Sequence, residues 1–524
     1  MSLSYAIENA TGEKITKIPR ILHQIWIGDA SLAPKKLMNT WKDKNPDFEY
    51  IFWNEEEIEK RKLDLHPYIH RINEMEEING KADILRWIIL QKYGGIFCDA
   101  DSICIEPIDD FLISLPCFAG LENEKVRGAG WSNNHEHNDI YAHKYPLIAL
   151  GCIGFPPNHP LVTDALSWMI MNCVSVQKTG KRAWHTVGPG LITKLYFERY
   201  DKMPTQKYDL SILPSHYFLP KHYSGVNYTG HDKIYAYQEW GSTKQSYSSM
   251  NDFVLGEEFS EPKEWVSVLV SSYNTKIRYV KDAIKSIVDS QGHFGIELVW
   301  IDDGSDILMG KMLEKVIDYY KERTRFVKII FEKNEKNMGI GYTLNKGIQM
   351  CNHEIIIKMD SDDIMTLDRI AKQFDYMKKN PDCGIVGGQL RMFVNDDLNH
   401  VVQNTSLSSM TWEQYKRNPS HWFVSHPTVC YRKSKVLECG NYNDSLSRMA
   451  EDFELEMRMM KLCGKVHNMS DILLLYRLHE GQVTHEGKKN DKWRLLREDM
   501  MRHHINSDVI ERYEVKEEYM DLIR

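Results

Sequence analysis

From Trp265 to Met359 the chain alternates between short apolar runs and stretches of helical periodicity, and few architectures accept that order. Trp265–Tyr273 (WVSVLVSSY) predicts a strand, after which Val280, Ala283, Ile284, Ile287 and Val288 recur at spacings of three and four. Glu297–Ile301 predicts a second strand, running into Asp302-Asp303-Gly304-Ser305. Met309, Met312, Leu313, Val316 and Ile317 would share one face of the next helix. Val327–Phe331 then reads as strand, the surroundings of Leu344 and Ile348 as helix, and Glu354–Met359 as strand again. Such repetition predicts an α/β fold whose parallel sheet has right-handed crossovers and a Rossmann-like nucleotide site at its strand ends.

The last of these strands runs into Asp360-Ser361-Asp362, and a second pair of the same form, Asp99-Ala100-Asp101, follows Gly94-Gly95-Ile96-Phe97-Cys98. Carboxylates two residues apart at a strand exit can converge on one hard divalent cation, which in turn can hold a substrate diphosphate by its oxygens. Surface turns use the same residues for their own backbone hydrogen bonds. Position after two buried apolar runs favours the functional reading, and two motifs predict two active sites.

The remaining bulk properties mainly exclude. A net charge of −8 argues against a nucleic-acid partner, which would demand a basic face. No apolar run is long enough to span a bilayer, and Met1–Arg20 carries no continuous apolar stretch of the signal-peptide kind. Ten cysteines lie scattered without a Cys-X-X-Cys pair, several of them (Cys98, Cys104, Cys351) in apolar runs, which predicts free buried thiols in a reducing compartment. Lys488–Arg524 mixes basic, acidic and apolar residues at helical spacing: a terminal helix packed on its own domain, or one that touches an anionic membrane or a partner.

The polar stretch Gly241–Lys263 separates two halves of similar size, each with one aspartate motif and no evident repeat between them. The expected division is residues 1–250, a linker at 251–263, and 264–524 with a helical extension at its end. In the first half Arg20–Ile27 and Phe48–Trp53 predict strands, Gly80–Lys92 a helix, and Ile96–Ile105 the strand that carries the motif. Asp83 and Arg86 fall one turn apart on that helix. They are either an exposed ion pair, or a guanidinium for a diphosphate and a carboxylate for a sugar hydroxyl.

Three ordered segments of the first half, Ile18–Gly28 (IPRILHQIWIG), Ala82–Arg86 (ADILR) and Tyr93–Asp101 (YGGIFCDAD), resemble family 32 glycosyltransferases, the DXD sugar-transferases related to the clostridial glucosylating toxins. The resemblance covers about residues 18 to 245. It implies a retaining transferase of the GT-A fold, with ribose, sugar and a manganese-type ion at Asp99 and Asp101, the sugar at Asp83, the donor at Arg86 and the uracil near Trp26. Gly188-Pro189-Gly190 matches a later turn of that family. Where many members have a histidine-rich segment, this chain reads Tyr237-Gln238-Glu239-Trp240-Gly241-Ser242, so that Trp240 and Ser242 remain to cover the diphosphate without the histidine. Asp99–Ile103 (DADSI) also resembles the opening of haloacid-dehalogenase phosphatases, where the first aspartate is a nucleophile, although there the motif usually opens its domain.

The second half presents Ser271-Ser272-Tyr273-Asn274, the acidic turn at Asp302 and Asp303, Asn337–Gly341 with Asn345 and Gly347, and Asp360–Asp363. His426-Pro427, Glu451–Leu455 (EDFEL) and Tyr476–His479 (YRLH) follow. This order resembles family 2 inverting glycosyltransferases over residues 265 to 480. A carboxylate at Asp302 or Asp303 can accept the uracil imide hydrogen, and Tyr273 can pack on the base. Asp362 is expected to bind the metal, Asp360 the ribose or the metal, and His479 to complete the ion's coordination. Asp452 is the expected general base and Glu451 its alternative.

Taken together, these readings describe a cytoplasmic, metal-dependent, two-headed glycosyltransferase of two tandem GT-A-like domains. Its cofactor would be Mn2+ or Mg2+, its donor a nucleotide sugar such as a UDP-sugar, and its acceptor a glycan or glycolipid. The alternative is that one half has lost catalysis and binds donor or acceptor only.

Overall fold

The computed structural model describes residues 6–8, 14–126, 144–203, 208–244, 246–256, 259–394, 396–420, 422–446, 450–479 and 491–523. Two compact units emerge, one of residues 1–228 and 233–259, the other of 229–232 and 260–524. The stretch Gly241–Lys263 is folded for part of its length: Gly241–Lys244 and Tyr247–Asp252 form short helices, and Met250 and Phe259 are buried with Leu37, Ile103 and Tyr237. Polar composition suggested a linker there, but a few spaced apolar side chains suffice to fix such a segment to a core.

In the amino-terminal unit six strands stand in the order Glu49–Trp53, Ile21–Ile25, Gly95–Cys98, Ile148–Phe155, Cys117–Leu121 and Leu210–Leu213. The first three are parallel, and Ile148–Phe155 runs antiparallel to its neighbours. Successive residues face opposite sides of the sheet: Phe97, Ile153 and Phe155 join Trp53 and Trp87, while Ile96, Cys98 and Cys152 join Trp41 and Phe118. The expected single strand Ile96–Ile105 is two strands, Gly95–Cys98 in the main sheet and Ser102–Cys104 paired with Ala236–Gln238. Asp99 and Asp101 occupy the break, because their carboxylates cannot continue a strand buried on both faces.

The carboxy-terminal unit is built on a ten-stranded sheet. Val327–Lys333, Gly295–Asp302, Trp265–Ser272 and Ile355–Asp360 are parallel neighbours, as the strand–helix alternation requires. Beyond them the sheet turns mixed: Cys430–Arg432 pairs antiparallel with Ile355–Asp360, then Ile385–Val394 and the long Lys465–Leu478 follow. The parallel expectation thus holds for the four strands that the alternation covers, out of ten in the sheet. Val268, Val270, Leu298 and Trp300 bury one face against the helix Ile277–Val288, and Leu269, Val299 and Ile301 bury the other against Leu344 and Ile348. Continuous apolar strands covered on both sides are the expected signature of this layering. Met312 departs from the predicted apolar face and is 40% exposed.

The carboxy-terminal helix Asp491–Asn506 buries Leu496, Met500 and Met501 with Phe453 and Leu455 of its own unit. Among the described residues no helix is long and apolar enough to cross a membrane. Cys98, Cys104 and Cys351 are free and buried.

Candidate functional site

In the amino-terminal unit the helix Ile78–Tyr93 carries Asp83 and Arg86 and ends where Gly94 and Gly95 take positive φ. A Cβ on Gly95 would approach the Ile21 carbonyl to 2.7 Å, so only glycine allows the chain to enter the sheet here. The strand then delivers Asp99, whose N–H donates to the Gly151 carbonyl. Arg86 is buried over the Phe97 ring. Its guanidinium donates to Asp99 Oδ1, lies 3.4 Å from Asp83 Oδ1, and donates to the Leu150 carbonyl at 2.9 Å. Asp83 Oδ2 rests against Gly188, where a Cβ would come within 3.0 Å of it.

Asp101 is held on both oxygens, by Gln238 Nε2 at 2.7 Å and by the Gly241 N–H at 2.6 Å. Gln238 also reaches Asp99 Oδ2 at 3.2 Å. Burial, then the nearby Asp99 carboxylate, pushes Asp101 up to about 7. Burial likewise lifts Asp83 to about 7, against the pull of Arg86. Arg86 answers Asp83 and Asp99 but not Asp101, which leaves an excess of carboxylate that a divalent cation would relieve, so these residues fit a metal.

The other expected donor contacts gather nearby. Trp240 adopts a left-handed backbone (φ 60°), which turns the following Gly241 N–H onto Asp101, and its indole donates to the Lys221 carbonyl at 3.1 Å. Trp26 donates to the Asp29 carbonyl at 2.9 Å and meets Tyr247 edge-on at 5.0 Å. Ser242, exposed at the start of Gly241–Lys244, hydrogen-bonds Tyr247, whose phenol is pushed up by burial and then by Asp101 and Asp99. Gln238 and Tyr247 escaped sequence reasoning. Gln238 stood where a histidine was sought, and Tyr247 lay inside the supposed linker.

Among the described residues, the group whose three potential ligand atoms lie within 4.8 Å of one another is a different one, Cys117, His159 and Asp209. His159 Nδ1 accepts from the Leu161 N–H, so Nε2 carries the ring proton and donates to Asp209 at 2.8 Å. A ligating imidazole would instead need its second nitrogen to donate. The cluster reads as a brace at a helix start.

In the carboxy-terminal unit the strand ends supply two acidic groups with different duties. Asp303 accepts from Asn334 Nδ2 (2.8 Å) and from the Met338 and Gly339 N–H groups (2.9 Å each), which fixes the turn before the helix Ile340–Met350. Asp302 accepts from Ser305, and its Oδ2 lies 3.7 Å from Lys333. Tyr273 is 49% exposed at the end of its strand.

Asp360 accepts from Lys358 Nζ at 2.6 Å, a lysine buried two residues earlier on the same strand. Asp362 meets His479 Nε2 at 2.8 Å, so residues 117 positions apart converge. Buried Asp363 accepts from the Arg477 N–H at 2.9 Å, and its carboxyl is pushed well up by burial, then by Asp362 and Asp360. Lys358 and the buried Arg369 stand beside this aspartate cluster, and the Asp362–His479 pair offers an oxygen and a nitrogen that fit a divalent ion.

Asp452 sits in the first turn of the helix Glu451–Cys463, entered through a left-handed Ala450 (φ 80°). Its side chain is 33% exposed, whereas Glu451 is buried. His426 Nδ1 lies 3.9 Å from Asp452 Oδ2. Lys358, Glu456 and Arg497, all buried, surround this end of the site and were not expected from the sequence. The only hint was a lysine inside an otherwise apolar strand.

Comparison with known proteins finds a family match in each half of the chain. Residues 33–117 match the family described as glycosyltransferase sugar-binding region containing DXD motif, and residues 267–440 match glycosyl transferase family 2. The amylovoran biosynthesis glycosyltransferase AmsE of Erwinia amylovora is 29% identical over 221 residues, covering 42% of this chain and 78% of that one. A UDP-Gal:alpha-D-GlcNAc-diphosphoundecaprenol beta-1,3-galactosyltransferase of Escherichia coli is 27% identical over 191 residues, 36% of this chain and 66% of that one. Among solved structures, S. aureus TarS 1-349 in complex with UDP-GlcNAc aligns at 16% identity with a TM-score of 0.36, over 50% of this chain and 70% of that one. The chain belongs to the glycosyltransferases, with a DXD sugar-binding region in its amino-terminal half and a family 2 region in its carboxy-terminal half.

Proposed function

We propose that the chain is a bifunctional, metal-dependent glycosyltransferase that builds a polysaccharide or surface glycan from UDP-sugars, its amino-terminal unit retaining and its carboxy-terminal unit inverting. The observation that carries this reading is the presence, in each of two compact units, of an Asp-X-Asp pair at the end of an inner sheet strand. A Mn2+ or Mg2+ ion would be held by Asp99 and Asp101 in one unit and by Asp362, His479 and Asp360 in the other. When bound, it neutralises the leaving diphosphate. The activities of these relatives, biosynthesis of amylovoran and transfer from UDP-Gal to a diphosphate-linked GlcNAc, support a UDP donor and a glycan or glycolipid acceptor.

The side chains divide the work. Asp302 takes the uracil imide hydrogen, since Asp303 is already committed to three N–H donors. Tyr273 lies over the base. Asp452 removes the proton of the acceptor hydroxyl as that oxygen attacks the anomeric carbon opposite the diphosphate. Its exposure favours it over buried Glu451. In the first unit Asp83 receives a sugar hydroxyl, Arg86 keeps Asp99 in place, and Trp26, Trp240 and Ser242 close over uracil and diphosphate.

One observation favours a second reading for the first unit alone. Both Asp101 oxygens are engaged by Gln238 and Gly241, an arrangement that also suits a unit that binds donor without turning it over. Hydrolysis of a panel of nucleotide sugars by the full chain, by Asp101→Ala and by Asp362→Ala separates the two. Each variant should lose one sugar specificity and keep the other. If Asp101→Ala changes nothing, the first unit is a binding module.

A further inference from the structure

The candidate base of the second unit is backed by a line of three side chains that the reaction as described leaves idle. His426 Nδ1 stands 3.9 Å from Asp452 Oδ2, and its Nε2 lies 2.8 Å from the Tyr442 hydroxyl. That hydroxyl is 3.2 Å from the Tyr431 hydroxyl. Both tyrosines are buried, and the Tyr442 backbone is fixed by Asn345, whose amide bonds its N–H and its carbonyl at 2.9 Å each.

The protons of this line have a preferred direction. With the order Tyr431 to Tyr442 to His426 Nε2, each hydroxyl hydrogen has an acceptor and the imidazole N–H falls on Nδ1, facing Asp452. The reverse order would aim the Nδ1 lone pair at a carboxylate. The imidazole stays neutral, because burial and then Lys358 disfavour its charged form. Catalytic hydrogen bonds are often long before substrate binds and tighten in the substrate complex, and 3.9 Å is such a separation.

We propose that His426 is a positioning residue for the inverting reaction: its Nδ1–H, aimed by the Tyr442–Tyr431 hydroxyl pair, holds the Asp452 carboxylate toward the acceptor oxygen. This rests on the assignment of Asp452 as base. The acceptor O–H bond breaks and its proton passes to Asp452. The oxygen forms the new bond to the anomeric carbon, and the carbon–phosphate oxygen bond breaks with its electron pair on the departing diphosphate. His426 gives up no proton. It favours the anionic carboxylate before transfer.

Other groups also face this pair. Glu451 and Glu456 lie on the helix of Asp452, Arg497 on the carboxy-terminal helix, Tyr431 on strand Cys430–Arg432 and Tyr442 on the loop beyond, while Lys358 and Asp360 face His426 from strand Ile355–Asp360. Substitutions at His426 and Tyr442 leave all the carboxylates, Lys358 and Arg497 in place.

The test uses the full chain, UDP release from UDP-glucose, UDP-galactose and UDP-N-acetylglucosamine in an Asp101→Ala background, and binding of UDP with Mn2+. His426→Ala should lower kcat on the order of 10-fold or more, with UDP affinity and KM within about twofold. Loss of the N–H also moves the acid limb of kcat/KM to higher pH, because the carboxylate loses a donor. His426→Asn, whose amide can reach Asp452 from the Nδ1 position, should recover most of the rate. Tyr442→Phe, the mildest change, should shift the acid limb the same way with a smaller loss.

An unmoved acid limb in both His426→Ala and Tyr442→Phe would overturn the proposal, as would a loss confined to KM. Asp452→Asn distinguishes the two levels of argument. If it retains full turnover, the base assignment itself fails. If it loses turnover while the His426 variants do not, only the positioning role fails.

Discussion

The two aspartate motifs share a spacing and reach it by different means. In both units the first aspartate is tied to a buried cation of the scaffold, but Arg86 comes from a preceding helix and Lys358 from the same strand. The second aspartates diverge. Asp101 is capped by an amide and a backbone N–H, whereas Asp362 faces the imidazole of His479. A capped carboxylate keeps its place without an ion, while a carboxylate beside an imidazole offers an oxygen and a nitrogen that one ion could share. The difference teaches that the spacing specifies one anchored aspartate, and that the partners of the other are supplied by whatever the fold brings close.

Chelation is the harshest way to break this comparison. Exhaustive EDTA treatment should lower UDP-sugar hydrolysis in both units by several kcal/mol of barrier, on the order of 10³-fold, with Mn2+ restoring it. His479→Ala should raise the Mn2+ concentration needed by the second unit alone. Sugar-specific turnover that survives chelation in either unit would remove the metal from that unit.

The anchors can be tested through stability. Arg86→Met strands two carboxylates and should cost the amino-terminal unit about 3 kcal/mol at pH 7.5 in chelator. Lys358→Met strands the partly exposed Asp360 and should cost the carboxy-terminal unit about 2 kcal/mol. Denaturant unfolding reads both. If added Mn2+ recovers stability in neither, the carboxylates are not being neutralised at a shared site.

The smallest effect sharpens the contrast from the core. His23 in the amino-terminal unit is fully buried, accepts from Trp53 Nε1 at 3.0 Å and meets the Gly94 carbonyl at 2.8 Å, and burial lowers it to about 4. In the unfolded chain its value returns near 6.5, so between these values the unfolded state binds the extra proton and stability falls as the pH falls. Going from pH 7.5 to 5.5 should therefore remove about 1 kcal/mol through His23. His23→Gln, which cannot take the proton, should flatten that part of the unit's denaturation profile. An equally steep dependence in the variant would place the acid sensitivity elsewhere.

Much of this protein was legible along the chain because it is local. Apolar runs buried on two faces, helices with three-and-four spacing, and turns rich in Gly, Asp and Asn depend on a few neighbouring residues, and the strands from Trp265 to Asp360 form where the pattern places them. The aspartate pairs could be found for the same reason, since a strand exit is visible as the end of an apolar run. The break between Gly95–Cys98 and Ser102–Cys104 was less legible. Both pieces are buried, and although Asp99 and Asp101 mark the interruption, only the fold shows that the pieces pair with different partner strands.

What tertiary structure alone decided was the company each functional group keeps. Gln238 reaches Asp101 across 137 residues, His479 reaches Asp362 across 117, and His426 comes within 3.9 Å of Asp452 because a short helix and a long one meet at the sheet. Lys358 could be read as a fault in a strand, and only the fold shows that its ammonium group is paired with Asp360. Hydrogen bonding and ionisation depend on distance in space and on exclusion of water, and neither is a function of spacing along the chain.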